Sequence, residues 1–152
     1  MIESDLEQVL RLERICRLSR WGSAWYSSAL KQKDVLLLTA SQHDSKDNVQ
    51  ILGFISVRLI MQECEVYNIG VDPQQRRRGI AGRLFDAAVE SLIERGTEEC
   101  WLEVRESNSS ARAFYLRKNF KIVNRRPKYY SDPVEDALLM KLKFGTASDE
   151  KT

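Results

Sequence analysis

Histidine is nearly absent from this chain. The one copy, His43, sits in the polar stretch SQHDSKDN. A histidine triad, a histidine-ligated metal or a histidine general base would have to run through that loop residue, whose ordinary reading is a solvated side chain. The cysteines number three (Cys16, Cys64 and Cys100) and show no Cys-x-x-Cys spacing. That argues against a disulfide framework and a zinc site, and it fits a cytoplasmic setting. No apolar run approaches the ~20 residues a membrane span needs. The opening MIESDLEQVL is acidic and lacks the apolar segment of a secretory signal. An excess of one charge is lacking too: 24 Lys and Arg against 22 Asp and Glu leave +2, too balanced to mark a nucleic-acid binder. What remains for chemistry is carboxylates, hydroxyls and backbone groups.

What is present is an ordinary globular balance, 43% hydrophobic and 30% charged over 152 residues, which suits one domain. The fold is expected over residues 1–144, with the polar tail GTASDEKT (145–152) left disordered. Ser4 and Glu7 have capping-box spacing ahead of Leu6, Val9, Leu10 and Leu12, which predicts a helix from Asp5 to Arg17. A second, short helix starts near Ser23 and carries Trp25, Tyr26 and Leu30. VLLLTA (35–40) is an apolar run of strand length, and residues 41–50 read as a polar loop. ILGFISVRLI (51–60) and CEVYNIGV (64–71) are close enough for a hairpin. Ile80, Leu84, Ala88 and Leu92 recur at helical spacing, up to a left-handed cap at Gly96.

ECWLEVR (99–105) alternates, with Cys100, Leu102 and Val104 facing one way and Trp101, Glu103 and Arg105 the other. A helix over 109–118 follows, with Ala111, Phe114 and Leu116 as its apolar residues and Asn108 or Ser109 as its cap. Strands near 120–125 and 136–143 flank a loop, RPKYYSDPVE. Strands and helices interleaved without a strict βαβ rhythm predict a mixed sheet in an α/β or α+β domain.

The most informative stretch runs from Val71 to Gly82, VDPQQRRRGIAG. It follows a strand and opens a helix, so unpaired N–H groups and the helix's positive end converge on one point, where an anion is stabilised. Gly79 permits close backbone approach. Ile80, Ala81 and Gly82 form the first turn, Ala81 and Gly82 keeping it uncrowded, and Arg76, Arg77 and Arg78 add charge around the mouth. The spacing matches neither a Walker A loop nor Gly-x-Gly-x-x-Gly. Taken alone, the segment fits an anion site or a helix start with a solvated basic run.

The pattern V-x-P-x-x-R-x-x-G-I-A, with Arg76, Gly79 and Ala81 at its fixed positions, resembles the acetyl-CoA pyrophosphate loop of the GCN5-related N-acetyltransferases (GNAT). Two further stretches extend the likeness. WLEVRESNSSARAFYLRKNF (101–120) is similar to the second half of that fold. RPKYYSDPVEDALLMKLKF (126–144) is similar to the C-terminal pattern of the RimI-like subgroup, peptide α-N-acetyltransferases that act on the N-terminal alanine of a ribosomal protein. The likeness covers residues 5–144. Asn119 stands where the family carries Gly, and Arg20-Trp21 where some members carry Pro-Trp. Only four residues precede the first helix, so the family's first strand is expected to be missing or shortened.

The resemblance implies a mixed sheet, flanked by helices, that splays open between 64–71 and 99–105. The pantetheine arm of acetyl-CoA would lie in that wedge and pair with the backbone of Ile69 and Val71, across Gly70. The pyrophosphate would rest on residues 76–82, and Asn108, also a helix N-cap by its position, would contact the cofactor. No metal is implied. The implied partner is a protein N-terminal peptide, drawn from a ribosomal protein, with no nucleic acid or membrane required; a monomer or weak homodimer is expected.

Direct acetyl transfer needs a neutral amine and a protonated leaving thiolate. In the resembled subgroup the positions of Glu103 and Tyr115 carry the base, acting through water, and the acid. Read from the residues alone, Glu103 is a solvent-facing strand carboxylate and Tyr115 a core aromatic. An α-amine near pKa ~8 costs ~1.4 kcal/mol to deprotonate at pH 7, and a lysine near ~10.4 costs ~4.6 kcal/mol, which favours α-amines. Tyr129 and Tyr130 form the expected peptide-side wall with Glu135 and Asp136, the tyrosines giving stiff apolar contact and the carboxylates drawing the substrate ammonium. A small-amine or lysine acetyltransferase, a silent acetyl-CoA-binding module and a nucleic-acid module built on the arginine runs are the alternatives; the 126–144 stretch favours the peptide enzyme.

Overall fold

The computed structural model describes residues 1–145, so the tail expected to be disordered lies, from residue 146 on, outside the described residues. The elements in chain order are α1 (Leu6–Ile15), α2 (Ser23–Ala29), β1 (Val35–His43), β2 (Val49–Ile60) and β3 (Glu63–Val71), then α3 (Ile80–Glu94), β4 (Glu99–Arg105), α4 (Ser109–Arg117), β5 (Lys121–Ser131) and β6 (Val134–Lys143). The strands form one mixed sheet in the order β1-β2-β3-β4-β6-β5. Neighbours are antiparallel except β3 and β4, which run parallel. Residues 3–5 make a single 3-10 turn, and no strand precedes α1 among the described residues.

The sheet is covered on both faces, which explains the unbroken apolar run in β1. Leu36 packs with Leu84, Ala88 and Leu92 of α3, whereas its neighbours Val35 and Leu37 pack with Leu6, Val9 and Leu12 of α1. In β4 the expected alternation holds: Cys100, Leu102 and Val104 are buried and the residues between them are half-exposed.

The decisive feature lies between β3 and β4. They share only three register pairs, Glu63↔Glu99, Cys64↔Cys100 and Glu65↔Trp101. Beyond these, β3 stays with β2 as far as Gly53↔Val71 and β4 stays with β6 as far as Arg105↔Ala137. The register of β2 with β3 slips between Ser56 and Val57, which leaves Tyr67 as an extra residue just past the last shared pair. A bulge of this kind bends its strand and sharpens the local twist, carrying β3 away from β4, and the sheet opens as a V.

Several boundaries differ from the sequence reading. The capping box at Ser4 and Glu7 does not form; the Asp5 carboxylate accepts the Ile2 N–H at 2.9 Å and the 3-10 turn runs straight into α1. The loop expected over 41–50 shrinks to a turn, because the Asp44 carboxylate takes the N–H groups of Lys46 (2.7 Å) and Asn48 (2.9 Å) and lets both strands extend. RPKYYSDPVE is mostly strand rather than loop. Pro127 is tolerated because β5 is an edge strand, and the register breaks between Arg126 and Tyr130 around it. In α4 the buried aromatic is Tyr115, while Leu116 is exposed.

Gly53 fixes how closely β2 approaches the tip of β3 and the start of α3. A Cβ there would lie 2.8 Å from the Gly70 carbonyl oxygen, 3.1 Å from Val71 Cγ2 and 3.3 Å from Ile80 Cγ2. A backbone oxygen in a ladder cannot step aside, so Gly53→Ala is expected to lower stability by ~1–3 kcal/mol, read as a lower denaturant midpoint with an unchanged slope.

Candidate active site

Where β3 ends, Asp72 organises the next segment. Its buried carboxylate accepts the Gln74 N–H at 3.0 Å and pairs with Arg11 of α1 at 3.3 Å, which pins the 3-10 turn Pro73–Gln75. Arg77 (φ 60°) and Gly79 (φ 73°) are left-handed, and α3 starts at Ile80. The first N–H groups of that helix have no helical acceptor. A cavity of about 440 Å³ lies against them, lined by Arg76, Arg77, Gly79 and Gly82 on one side and Phe114 and Arg117 on the other. Arg78 turns away to Gln75. Of the three arginines, then, two line the cradle, and Arg117, which the motif did not flag, joins them from α4.

From the cradle a larger cavity, about 760 Å³, runs up the V past Val71, Ile69 and Ala81 to Asn108, Phe114 and Tyr115. A smaller one, about 240 Å³, opens on the other side, lined by Tyr67, Asn68, Glu103, Arg105 and Tyr130. Ile69, Asn108, Ala111 and Tyr115 border both. Gly70 does not: it faces the segment after α1, where a Cβ would come within 2.7 Å of Leu18 Cδ1. Asn108 caps α4 by accepting the Ala111 N–H at 3.2 Å, and the same residue reaches the cavity wall. Tyr115 is 6% exposed, its ring packed on Phe114 at 5.2 Å and Phe120 at 5.4 Å. Burial, with smaller contributions from Cys100 and Tyr130, pushes its phenol well above the ordinary range, so it stays protonated throughout the neutral range.

Glu103 lies on the open face of β4, paired with Arg126. The Glu103 carboxylate beside Tyr129, together with burial, pushes that phenol up. Glu65 of β3 is raised by burial and by the Glu103 charge, with Arg126 opposing. Tyr129 and Tyr130 meet edge to face at 5.1 Å, and Tyr130 alone of the two borders the smaller cavity.

Glu135 and Asp136 behave differently from the expectation. Glu135 accepts from Ser107 N–H at 2.6 Å and pairs with Arg105 at 3.3 Å. Asp136 accepts from Lys128 N–H at 2.8 Å and Arg125 Nε at 2.7 Å. These partners hold both carboxyls below their usual range, Ser107 contributing most at Glu135 and Lys128 at Asp136. Their contacts therefore stabilise the fold above the ordinary carboxylate range and fade as pH falls through the depressed values. Neither carboxylate borders the smaller cavity, and each is engaged by a neighbouring arginine, Glu135 by Arg105 and Asp136 by Arg125.

The opposite wall rests on a group the sequence reading missed. Glu13 is 2% exposed, and its Oε1 accepts from Tyr26 Oη at 2.7 Å, Asn68 Nδ2 at 3.3 Å and Trp21 N–H at 3.3 Å. Asn68 also donates to the Ser19 carbonyl at 2.8 Å. Burial and the Glu13 carboxylate push the Tyr26 phenol far above its usual value. The segment from Arg17 to Trp21 is thereby tied to β3, and Trp21 stacks on Tyr67 at 4.7 Å. Nothing in the spacing of Glu13, Tyr26 and Asn68 marks them, because they meet only once α1, α2 and β3 pack. No group of three potential metal ligands occurs among the described residues, and no helix there is long and apolar enough to cross a membrane.

The sequence profile of the acetyltransferase (GNAT) family matches residues 6–120. The ribosomal protein bS18-alanine N-acetyltransferase of Escherichia coli K12 is 35% identical over 141 residues, 91% of this chain and 91% of its own length. The enzyme of the same name from Haemophilus influenzae is 36% identical over 139 residues, 90% of each chain. The crystal structure of the ribosomal-protein-S18-alanine N-acetyltransferase from E. coli superposes with a TM-score of 0.82 at 27% identity, covering 100% of this chain and 96% of that one. Arabidopsis thaliana NAA60, solved with acetyl-CoA, has the same fold at a TM-score of 0.83 and 20% identity, covering 93% of this chain and 94% of its own.

Proposed function

The chain belongs to the acetyltransferase (GNAT) family, and from that premise we propose that it transfers the acetyl group of acetyl-CoA to the α-amino group of a protein N-terminus. The observation that carries the reading is the meeting of two cavities at Ile69, Asn108 and Tyr115, one ending in an anion cradle and the other holding Glu103. That is the arrangement a two-substrate transfer needs, with each reactant entering from its own side.

The cradle fits the cofactor. A Cβ added at Gly79 would meet nothing within 4 Å among the described residues, which leaves space for phosphate oxygens. Arg76, Arg77 and Arg117 supply charge, and the start of a 15-residue helix supplies N–H groups. The pantetheine arm would follow the free edge of β3 at Ile69 and Val71. On the other side, Glu103 takes a proton from the α-ammonium through a water molecule. The neutral nitrogen forms the new C–N bond and gives a tetrahedral intermediate, whose nitrogen loses its second proton to solvent as the C–S bond breaks and the Tyr115 hydroxyl gives its proton to the departing sulfur. The products are an N-acetylated peptide, free CoA and one proton released to solvent; the proton held by Glu103 returns to Tyr115 by way of solvent. The bS18-alanine names of the relatives make an alanine-initiated ribosomal-protein peptide the first substrate to try. A panel of such peptides, with lysine-bearing and blocked controls and mass-spectrometric localisation of the acetyl group, tests the reading; acetylation confined to lysine side chains would overturn it.

Gly79→Val is expected to weaken acetyl-CoA binding about tenfold or more, the loss of one charge-assisted hydrogen bond, beside a stability loss of ~1–2 kcal/mol from the left-handed backbone. Calorimetric titration alongside a thermal melt separates the two effects.

Glu103→Gln is expected to lower kcat/KM by roughly 10²-fold at neutral pH. The deficit should shrink above pH ~8, where the α-amine loses its proton unaided. A mutant pH–rate profile parallel to wild type would remove Glu103 from the mechanism.

Tyr115→Phe keeps the ring in its aromatic packing and removes only the acid. A fall in kcat of ~10²–10⁴-fold with nearly unchanged acetyl-CoA affinity is expected. Normal turnover in the folded mutant would leave Tyr115 as core packing.

A further inference from the structure

Arg105 and Glu135 tie together three pieces that are far apart in sequence. Arg105 ends β4. Its Nη1 donates to the Pro133 carbonyl at 3.2 Å and to Glu135 at 3.3 Å, and its Nη2 donates to the Asp132 carbonyl at 3.1 Å. The guanidinium carbon lies 4.1 Å from the centre of the Tyr130 ring. The second oxygen of Glu135 accepts the Ser107 N–H at 2.6 Å, one residue before the cap of α4. One guanidinium and one carboxylate thus join the end of β4, the tip of the β5–β6 hairpin and the entry to α4.

The hairpin needs such a tie. β5 is an edge strand, and every residue along it is exposed except Tyr130, which is half-buried. Its register with β6 breaks between Arg126 and Tyr130, so the ladder that would stiffen the tip is interrupted where Tyr130 must be held. Burial of apolar surface does little there, and the fork of Arg105 takes over. Both terminal nitrogens donate while the guanidinium lies over the Tyr130 ring, a combination a lysine cannot reproduce.

We propose that Arg105 and Glu135 are positioning residues for the peptide: they hold Tyr130 as the wall of the smaller cavity, so that a substrate N-terminus is kept over Glu103 without either residue taking part in the chemistry. This rests on the function proposed above. It also gives Glu135 a different job from drawing the ammonium, one that its contacts with Ser107 and Arg105 fit.

The test uses the whole chain, an alanine-initiated peptide and acetyl-CoA. Steady-state kinetics and thermal melts are run for wild type, Arg105→Lys and Glu135→Gln. Arg105→Lys is expected to raise the peptide KM about tenfold, the scale of one lost charge-assisted contact, with kcat within about twofold and the KM for acetyl-CoA unchanged. Glu135→Gln keeps one acceptor for Ser107 and is expected to raise the peptide KM by a smaller factor. Lowered melting temperatures with a wild-type peptide KM in both variants would show a merely structural tie and overturn the proposal. So would an equal loss for acetyl-CoA and peptide. Failure of wild type to acetylate any peptide N-terminus would overturn the proposed function, and the positioning role with it; peptide acetylation with unmoved KM values sinks the positioning role alone.

Discussion

Everything that makes a site of this sheet follows from the brevity of the contact between β3 and β4. Strands that paired along their whole length would consume the N–H and C=O groups of Ile69 and Val71 and close the space in front of Tyr115. Three register pairs are enough to keep the two halves of the sheet together at one end. The middle pair, Cys64 and Cys100, is fully buried, and the neighbouring Cys64 thiol, together with burial, pushes that of Cys100 far up. The apex of the V is therefore dry and chemically inert, and the bulge at Tyr67 sets where the opening begins. A strand edge exposed inside a protein is normally a liability; here it offers an extended ligand a ladder to complete.

An open wedge has to be kept open, and its two walls are secured by different physics. On the α1 side the anchor is a carboxylate out of reach of solvent, Glu13, whose charge is spread over three donors. Removing any one donor would leave part of that desolvation cost uncompensated, so the wall is fixed cooperatively. On the β5 side the anchors are half-exposed ion pairs that water screens and that individually contribute little to stability. Arg125 with Glu106 and Asp136, and Arg126 with Glu103, line that wall. One side behaves as a fixed frame and the other as a surface whose arrangement depends on charge.

Much of this was legible in the sequence where a pattern is local. The helical period of Ile80, Leu84, Ala88 and Leu92, the alternation of ECWLEVR and the strand-to-helix glycine at position 79 each reflect forces acting within a few residues, and each element stands where its pattern predicts. The sheet's splay and the family followed from resemblance rather than from any period. What escaped was non-local. The Glu13 cluster and the Arg105 contacts form between segments separated by up to 55 residues. Glu135 and Asp136 looked like free acids because a sequence does not show which arginine will stand opposite them. The strand content of RPKYYSDPVE was missed because Pro and charge usually break strands, and only an edge position removes that objection.

The dress of that edge strand has a consequence for what the molecule will accept. Lys121, Arg125, Arg126 and Lys128 crowd β5, Pro127 withholds an N–H, and Lys128 adopts φ 51°. A chain that reaches the outer border of the sheet meets a crowd of charged side chains and a broken ladder, whereas the inner border along β3 opens onto the larger cavity. The sheet thus has two borders to which a strand might be added, and the outer one is the poorer template.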